Sequence, residues 1–250
     1  YFFGATDFTA RILPAAMSVL CVVMAYLLRP YLGRAGALFT AALFTLSPAF
    51  TYFGRFIRND IYIAAFSLVM LWALFRYLDT RRPGFLYAGA AALSLAFCTK
   101  EVTYIIGFIF VSILFFRWLW ETSARPAPEE QRFTPVFKSL ITVRRPLWIS
   151  TLIFFGIVAV LYTTVFTHPR GFFDAFTKSL TYWLGQHEVQ RGSQPVYFYA
   201  ALLPLYELLP FLGTIAALVY YGFLRERAHR AWRLLAYVIM IAAWWLFVAQ

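Results

Sequence analysis

The sequence predicts an all-α integral membrane protein with about eight transmembrane helices, forming a single transmembrane domain over residues 1–250. Three observations indicate this class. Hydrophobic residues make up 62% of the chain and charged residues only 13%, a balance that a soluble domain of this size does not need. Apolar runs recur at about the ~20-residue length that crosses a ~30 Å hydrocarbon core. Aromatic residues reach 21%, as is typical of lipid contact and interfacial belts.

Eight apolar segments alternate with charged or proline-containing connections. The first follows Thr6 and Asp7, whose side-chain oxygens suit a helix cap. The predicted spans cover residues 9–28, 35–52, 61–78, 84–98, 102–119, 147–166, 197–222 and a segment that begins near 234. We expect 120–146 to be a cytoplasmic connection with one short helix, and 167–196 to be an amphipathic loop at the outer face. Because the chain opens with Tyr1 and has no basic leader, we expect it to be part of a longer protein.

The basic residues divide unevenly between the two faces when the spans alternate. Of the 22 lysines and arginines, seven fall on one face and the other 15 on the opposite face. The positive-inside rule makes the face with 15 cytoplasmic and the other face extracytoplasmic. The seven outer residues are Arg11, Arg55, Arg58, Lys100, Arg170, Lys178 and Arg191. Because the basic residues are scattered over short connections, they indicate membrane topology and not nucleic-acid binding.

A charged turn at residues 53–60 joins two apolar segments and holds Arg55, Arg58 and Asp60. If the helix continued through the turn, Arg55 and Arg58 would share a face and could clamp one anionic group. Asp60 would then be a candidate general base or cation ligand. The structural alternative is an arginine–aspartate pair that only caps the turn and reaches the interface.

Two further sets of charges lie where membrane spans end or should be apolar. Lys100 and Glu101 follow a short span, so their turn is expected below the surface, where charged groups tend to be functional. The alternative is a plain interfacial ion pair. Glu207 lies roughly 16 Å into its span and is a candidate functional carboxylate. Its alternative is a protonated carboxyl bonded to a backbone carbonyl freed by Pro204 or Pro210.

The loop 167–196 carries further candidate polar groups, which we expect on the acceptor or lid side of an outer pocket. We predict no metal and no cofactor. His187 and Glu188 are adjacent and so do not share a helix face, and the chain has no HExxH motif or cysteine pair. A divalent cation held with help from residues before Tyr1 stays open. Cys21 and Cys98 lie in apolar segments and are expected to act as buried hydrophobes. The candidate residues of the loop are His168, Arg170, His187, Glu188 and Arg191.

Four short motifs occur in an order that resembles the GT-C glycosyltransferases of the protein-mannosyltransferase and aminoarabinose-transferase type. They are the helix start at 8–14, Ser47-Pro48 followed by Arg55, Arg58 and Asp60, the turn at 98–101, and the stretch 182–195. The last motif is most similar to a bacterial and archaeal branch of mannosyltransferase-like proteins labelled flippase-associated.

The resemblance implies a GT-C-like helical arrangement in a prokaryotic plasma membrane, with a polyprenyl-phosphate sugar bound at the extracytoplasmic face. It implies that Asp60 occupies the second acidic position of the family. It also implies that Arg58 and Lys100 occupy cationic positions near the lipid phosphate. The family's first acidic residue acts as base in the first outer loop, and we expect it to precede Tyr1.

The function predicted is transfer of a sugar from a polyprenyl-phosphate donor to an acceptor hydroxyl. Asp60 would be catalytic, with Arg55, Arg58 and Lys100 at the donor phosphate. The acceptor or lid side would hold Glu101, His168, Arg170, His187, Glu188, Arg191 and Glu207. One alternative is a catalytically silent subunit that packs with other membrane subunits. The other is a lipid-carrier transport or flippase-associated protein, which needs a continuous polar path across the bilayer.

Overall fold

The computed structural model of the protein describes residues 4, 6–123, 133–185 and 198–219, and every regular element in these ranges is helical. The helices are α1 Asp7–Leu27, α2 Arg29–Leu46, α3 Pro48–Phe53, α4 Asp60–Thr80, α5 Pro83–Phe97, α6 Thr103–Ser123, α7 Phe133–Thr142, α8 Arg145–Tyr162, α9 Gly171–Gly185, α10 Phe198–Tyr206 and α11 Leu208–Val219. Thr6 caps α1 as predicted, because its side-chain oxygen accepts a hydrogen bond from the Thr9 amide.

Four helices in the described ranges are long and apolar enough to cross a membrane: α1, α4, α6 and α8. The prediction of about eight spans is therefore supported for only four segments. α5 is apolar but has 15 residues, so it covers only about 22 Å at 1.5 Å per residue. The predicted eighth span, from about 234, lies outside the described residues.

The predicted span 35–52 is two helices, α2 and α3, that meet at Ser47. The φ and ψ of Ser47 are −60° and 124°, because the proline that follows disfavours helical backbone at the preceding residue. The Ser47 hydroxyl then caps α3 by accepting from the Phe50 amide at 3.2 Å. Since α3 ends at Phe53, the turn that follows does not continue a helix.

The predicted span 197–222 is also interrupted, at Glu207. α10 ends at Tyr206 and α11 begins at Leu208. The sequence places Pro204 and Pro210 on either side of this position, and proline removes a helical hydrogen bond and crowds the preceding turn. The break agrees with the expected effect of these prolines on the helix beside Glu207.

The chain divides into two compact units, and the first comprises Tyr1–Lys100 and Ile149–Phe172. In this unit α4 packs against α5 and α1. Its innermost cluster is formed by Cys21, Ile61 and Ala65, with exposed fractions of 0–2%. The hydroxyl of Ser94 on α5 donates to the carbonyl of Phe154 on α8 at 2.9 Å, so α8 is tied to α5 through a buried backbone group.

One end of the α4–α5 pair is closed by a contact between Tyr31 and Asp79. The Tyr31 hydroxyl donates to Asp79 Oδ2 at 2.5 Å. Burial, followed by the hydrogen bond to Asp79, raises the pKa of Tyr31 to about 12. The link places the start of α2 beside the C-terminal end of α4. The charged turns at 54–60 and 98–100 lie at the other end of α4 and α5.

Gly54 allows α1 to approach the turn after α3. It is buried, and a Cβ there would lie 2.8 Å from Ser18 Oγ and 2.9 Å from Ser18 Cβ. We expect Gly54→Ala to lower the free energy of unfolding by about 1–3 kcal/mol, because overpacking forces the neighbours to shift. Thermal unfolding in nanodiscs checks this.

Ser18→Gly removes both overlapping side-chain atoms, so adding it to Gly54→Ala should recover part of the loss. The matched control is Gly107→Ala, since a Cβ at Gly107 on α6 meets no atom within 4 Å and alanine favours helix by up to about 1 kcal/mol. Equal effects of the two glycine substitutions would contradict a specific role for the α1 contact.

The second unit comprises Glu101–Trp148 and Phe173–Gln250. In this unit α6 continues to Ser123, four residues beyond the predicted end at 119, and α7 lies within the connection 120–146, where one short helix was expected. The loop 167–196 contains α9, on which Lys178 and Asp174 form an exposed ion pair at 2.6 Å.

Candidate functional site

Three charged side chains from the turns at one end of α4 and α5 come together around Asp60. Lys100 Nζ lies 2.6 Å from Asp60 Oδ1, and Arg58 Nε lies 3.6 Å from Asp60 Oδ2. We call Arg58, Asp60 and Lys100 the Asp60 cluster. The structure thus joins residues 40 positions apart in the sequence, and both carboxylate oxygens of Asp60 have a cationic neighbour.

The ends of two antiparallel helices position the cluster. Asp60 is the first residue of α4, where exposed amide groups favour a negative side chain. Lys100 follows the C-terminal end of α5, and its amide donates to the Ala96 carbonyl at 3.2 Å. Since carbonyl groups at a helix C-terminus favour a cation, each charge lies at the helix end that stabilises it.

The side chain of Asn59 links the turn before α4 to the backbone of the turn after α5. Its side-chain amide donates to the Thr99 carbonyl at 3.0 Å, while the Thr99 hydroxyl bonds to the Leu95 carbonyl at 2.6 Å. Asn59 occupies the N-cap position of α4 but makes no side-chain capping bond. Asn59 was not among the site residues predicted from the sequence. The available signal was an asparagine directly before the helix that begins with Asp60.

The Asp60 cluster is partly shielded from solvent and carries an excess of positive charge. The exposed fractions are 31% for the Asp60 side chain, 30% for Lys100 and 57% for Arg58. Two cations and one carboxylate leave a net charge of +1, and Arg55 in the same turn is exposed. Lysine has three N–H donors, so Lys100 has donors beyond the one directed at Asp60. This arrangement suits an anion with several acceptor oxygens.

The other predicted site residues are not part of this cluster. Arg55 follows the end of α3, so it does not share a helix face with Arg58, and it makes no ion pair among the described residues. Glu101 is half-buried, and its carbonyl accepts from the Tyr104 amide at 3.0 Å. Glu207 is half-buried at the break between α10 and α11. Three predicted residues lie outside the described part of the chain: His187, Glu188 and Arg191.

His168 and Arg170 are exposed in the turn between α8 and α9. This turn is strained, because Thr164, Val165 and Phe166 have φ values of 50°, 56° and 65°. Left-handed backbone costs roughly 1–2 kcal/mol for a residue with a side chain. The bond from the Phe166 amide to the Thr163 hydroxyl, at 2.9 Å, helps to hold this conformation.

The donor set for a metal ion is sparse in the part of the chain that the structure describes. No group of three or more His, Cys, Asp or Glu side chains is close enough to hold a metal ion within those ranges. Asp60 is paired with cations, and Cys21 and Cys98 are free thiols. The charged atoms around Asp60 are nitrogen donors, Lys100 Nζ and the Arg58 guanidinium.

Comparison with known proteins finds a family match for the segment that contains the Asp60 cluster. The family model described as dolichyl-phosphate-mannose-protein mannosyltransferase matches residues 1–128, which is just over half of the 250 residues. The matched segment includes the whole Asp60 cluster and the helices that position it. No curated protein and no solved structure matches the chain. The chain belongs to the dolichyl-phosphate-mannose-protein mannosyltransferase family.

Proposed function

We propose that the protein transfers a sugar from a polyprenyl-phosphate donor to an acceptor hydroxyl at the extracytoplasmic face of a prokaryotic plasma membrane. The observation that carries this proposal is the Asp60 cluster, a partly shielded group with excess positive charge at the ends of α4 and α5. It lies within the segment that matches the mannosyltransferase family. A lipid-linked phosphate is an anion that such a cluster suits.

In this proposal Lys100 and Arg58 bind the phosphate oxygens of the donor, and Arg55 adds positive charge at the exposed side. Arginine presents a planar set of donors and lysine a compact charge, and both bind phosphate. Asp60 holds the two cations in position before the donor arrives. Partial removal from water strengthens these interactions in the transition state.

The proposed transfer forms a bond between the acceptor oxygen and the sugar C1 while the bond from C1 to the phosphate oxygen breaks. The polyprenyl phosphate leaves with the electron pair, and Lys100 and Arg58 stabilise its growing negative charge. A carboxylate base accepts the proton of the acceptor hydroxyl. The resemblance implies that this base is the family's first acidic residue, and Asp60 assists by orienting the groups around it.

The acceptor side is proposed to include the polar residues that lie apart from the cluster along the chain. Glu101 directly follows Lys100, and the exposed His168 and Arg170 lie on the strained turn after α8. Glu207 interrupts an apolar segment, where an acidic group is costly and tends to be functional. His187, Glu188 and Arg191 complete the set proposed from the sequence.

A structural role is the second candidate, and specific contacts favour it. The ion pair between Lys100 and Asp60 and the hydrogen bond from Asn59 to Thr99 both tie the α3–α4 turn to the turn after α5. The same contacts would stabilise a catalytically silent membrane subunit. A test of function must therefore separate sugar transfer and donor binding from stability.

The full-length protein in native-like membranes, supplied with labelled polyprenyl-phosphate hexose, tests the proposal. We expect Arg58→Ala to lower transfer roughly tenfold and to weaken donor binding, because it removes one charge-assisted contact to phosphate. Arg34→Ala is the matched control, since Arg34 is an exposed arginine on α2, away from the cluster. Donor binding without turnover in the wild type would point to a lipid-carrier protein, and neither activity to a structural subunit.

A further inference from the structure

The short helix α7 lies outside the proposed sugar-transfer site. It is held on α6 by the buried carboxylate of Glu121. The Glu121 side chain is 0% exposed and lies 3.1 Å from Arg117 Nε. Its oxygens also accept from the amides of Phe133 and Thr134 at 3.0 and 2.8 Å and from the Thr134 hydroxyl at 3.0 Å. These amides begin α7, where helix N–H groups lack internal partners. A side chain of α6 thus caps α7 and fixes its start.

Residues four positions apart on a helix lie on the same face, so Phe137 and Ile141 form one stripe along α7 and Lys138 and Thr142 form another. Val136 is buried, whereas Phe137 and Ile141 are 54% and 51% exposed. Lys138 and Thr142 form the neighbouring exposed polar stripe. Glu121 therefore holds α7 against α6 in an orientation that buries Val136. The adjoining apolar stripe of Phe137 and Ile141 stays exposed.

The position of α7 between two candidate spans indicates that it lies at a membrane surface. α6 and α8 are both candidate spans, and α7 lies between them. Only two residues separate Thr142 at the end of α7 from Arg145 at the start of α8. With ten residues α7 is about 15 Å long, too short to cross the bilayer. Trp148, four positions into α8 and 70% exposed, is of the type enriched at the membrane–water interface.

The charged side chains from the start of α7 to the end of α8 are all basic. Lys138, Arg144 and Arg145 are exposed, and no Asp or Glu occurs between Phe133 and Tyr162. The charge distribution predicts that this connection faces the cytoplasm, where the leaflet contains anionic lipid. An amphipathic helix with basic residues beside an apolar stripe binds such a surface by burying the stripe among acyl chains.

We propose that α7 is an interfacial helix that binds the anionic lipid surface of the cytoplasmic leaflet. Phe137 and Ile141 enter the acyl region, and Lys138, Arg144 and Arg145 contact lipid phosphates. This role does not depend on sugar transfer. It gives the 120–146 connection a defined partner and makes the position of α7 dependent on lipid charge.

Reaction of introduced thiols with N-ethylmaleimide, a neutral reagent that crosses membranes, tests this. The full-length protein is reconstituted either in phosphatidylcholine or in phosphatidylcholine with about 30% phosphatidylglycerol, an anionic surface of the kind that attracts basic segments. Ile141→Cys places a thiol on the apolar stripe. Thr142→Cys, its matched control, places one on the polar stripe. Modification of each new cysteine is followed by mass spectrometry of its own peptide, so that Cys21 and Cys98 do not interfere.

In the anionic vesicles we expect the thiol introduced by Ile141→Cys to react about tenfold more slowly than that introduced by Thr142→Cys, because thiolate forms poorly in the acyl region. The difference should shrink in phosphatidylcholine alone. It should also shrink when Lys138→Gln and Arg144→Gln are added. Arg34→Gln with Arg82→Gln, which removes two exposed arginines outside α7, should leave it unchanged.

Equal reaction rates at the two positions in anionic vesicles would overturn the proposal, because the apolar stripe would then face water. Protection at position 141 that is the same in both lipid compositions and in the Lys138→Gln/Arg144→Gln variant would also overturn it. That result would show that the stripe is covered independently of lipid charge. All substituted residues are exposed, and helical content measured by circular dichroism verifies that each variant is folded.

Discussion

Replacing Lys100 by methionine should lower the rate of sugar transfer about 100-fold or more, because the proposed mechanism then loses a preorganised cation at the leaving phosphate. Methionine keeps most of the side-chain length and removes only the ammonium group. The measurement is turnover of labelled polyprenyl-phosphate hexose by the full-length protein in native-like membranes. The control is Lys178→Met, since Lys178 also pairs with an aspartate at 2.6 Å but is 75% exposed on α9.

Stability distinguishes this prediction from a structural role of the same ion pair. The Lys100 and Asp60 side chains are about one-third exposed, and pairs that solvent reaches contribute about 1 kcal/mol or less. Lys100→Met should therefore leave the unfolding temperature almost unchanged while transfer is lost. A variant that transfers sugar normally but unfolds at a clearly lower temperature would show that the pair serves the fold and not the reaction.

Asp60→Asn completes a double-mutant cycle. If Asp60 acts by positioning Lys100, Asp60→Asn should lower transfer, and adding it to Lys100→Met should cause little further loss, because groups that act as a unit are non-additive. Full additivity would assign Asp60 a role independent of Lys100. Unchanged transfer in Asp60→Asn alone would remove Asp60 from the proposed site.

Glu121→Ala should lower the free energy of unfolding by about 3–5 kcal/mol, because it leaves Arg117 without its carboxylate in a buried position. It also removes the acceptor for two amides at the start of α7. Unfolding can be followed in nanodiscs by the loss of helical circular dichroism on heating, which reports on α6 and α7 as well as on the helices of the first unit. Asp174→Ala, which breaks an ion pair of the same i, i+4 spacing on an exposed surface, should change stability by only about 0.5 kcal/mol.

Arg117→Met separates the two contributions of Glu121. In that variant the carboxylate keeps its bonds to the start of α7, so the loss of stability should be smaller than for Glu121→Ala. Guanidinium stacking on Trp120, at 4.4 Å from the ring centroid, is lost as well and sets part of the cost. If Arg117→Met destabilised the protein as much as Glu121→Ala, the capping of α7 would contribute little.

Hydropathy predicted the membrane helices well where one apolar run corresponds to one helix. The predicted spans 9–28, 61–78 and 102–119 correspond to α1, α4 and α6, and 147–166 to α8. It did not place the interruption at Ser47, because a composition average does not register that the residue before proline prefers extended backbone. α6 continues beyond its predicted end since Glu121 pairs with Arg117, four positions earlier on the same helix, and accepts from the first amides of α7. The contact with α7 lies outside any local pattern.

The residues of the site were predicted individually, and an arginine–aspartate pair in the 53–60 turn was one of the alternatives, but the pairing of Lys100 with Asp60 was not predicted. Arg58, Asp60 and Lys100 were selected because each is a charge at the end of an apolar segment. Their association depends on the packing of α4 against α5, which aligns positions 40 residues apart. The expected clamp of Arg55 and Arg58 assumed a helix through the turn, and α3 ends too early for that. Asn59 was missed because its partner is a backbone carbonyl, which no side-chain pattern reveals.

The 40-residue separation between Asp60 and Lys100 has a consequence for biosynthesis. A ribosome adds about 5–20 residues per second, so roughly 2–8 s pass between synthesis of Asp60 and synthesis of Lys100. During that interval neither the ammonium group of Lys100 nor the Thr99 carbonyl that Asn59 binds has been made. Asp60 therefore has no contact with Lys100 until the rest of α4 and the whole of α5 have been synthesised. The cluster forms only after α5 packs against α4, so the packing of this short helix decides whether the nascent chain acquires the cluster.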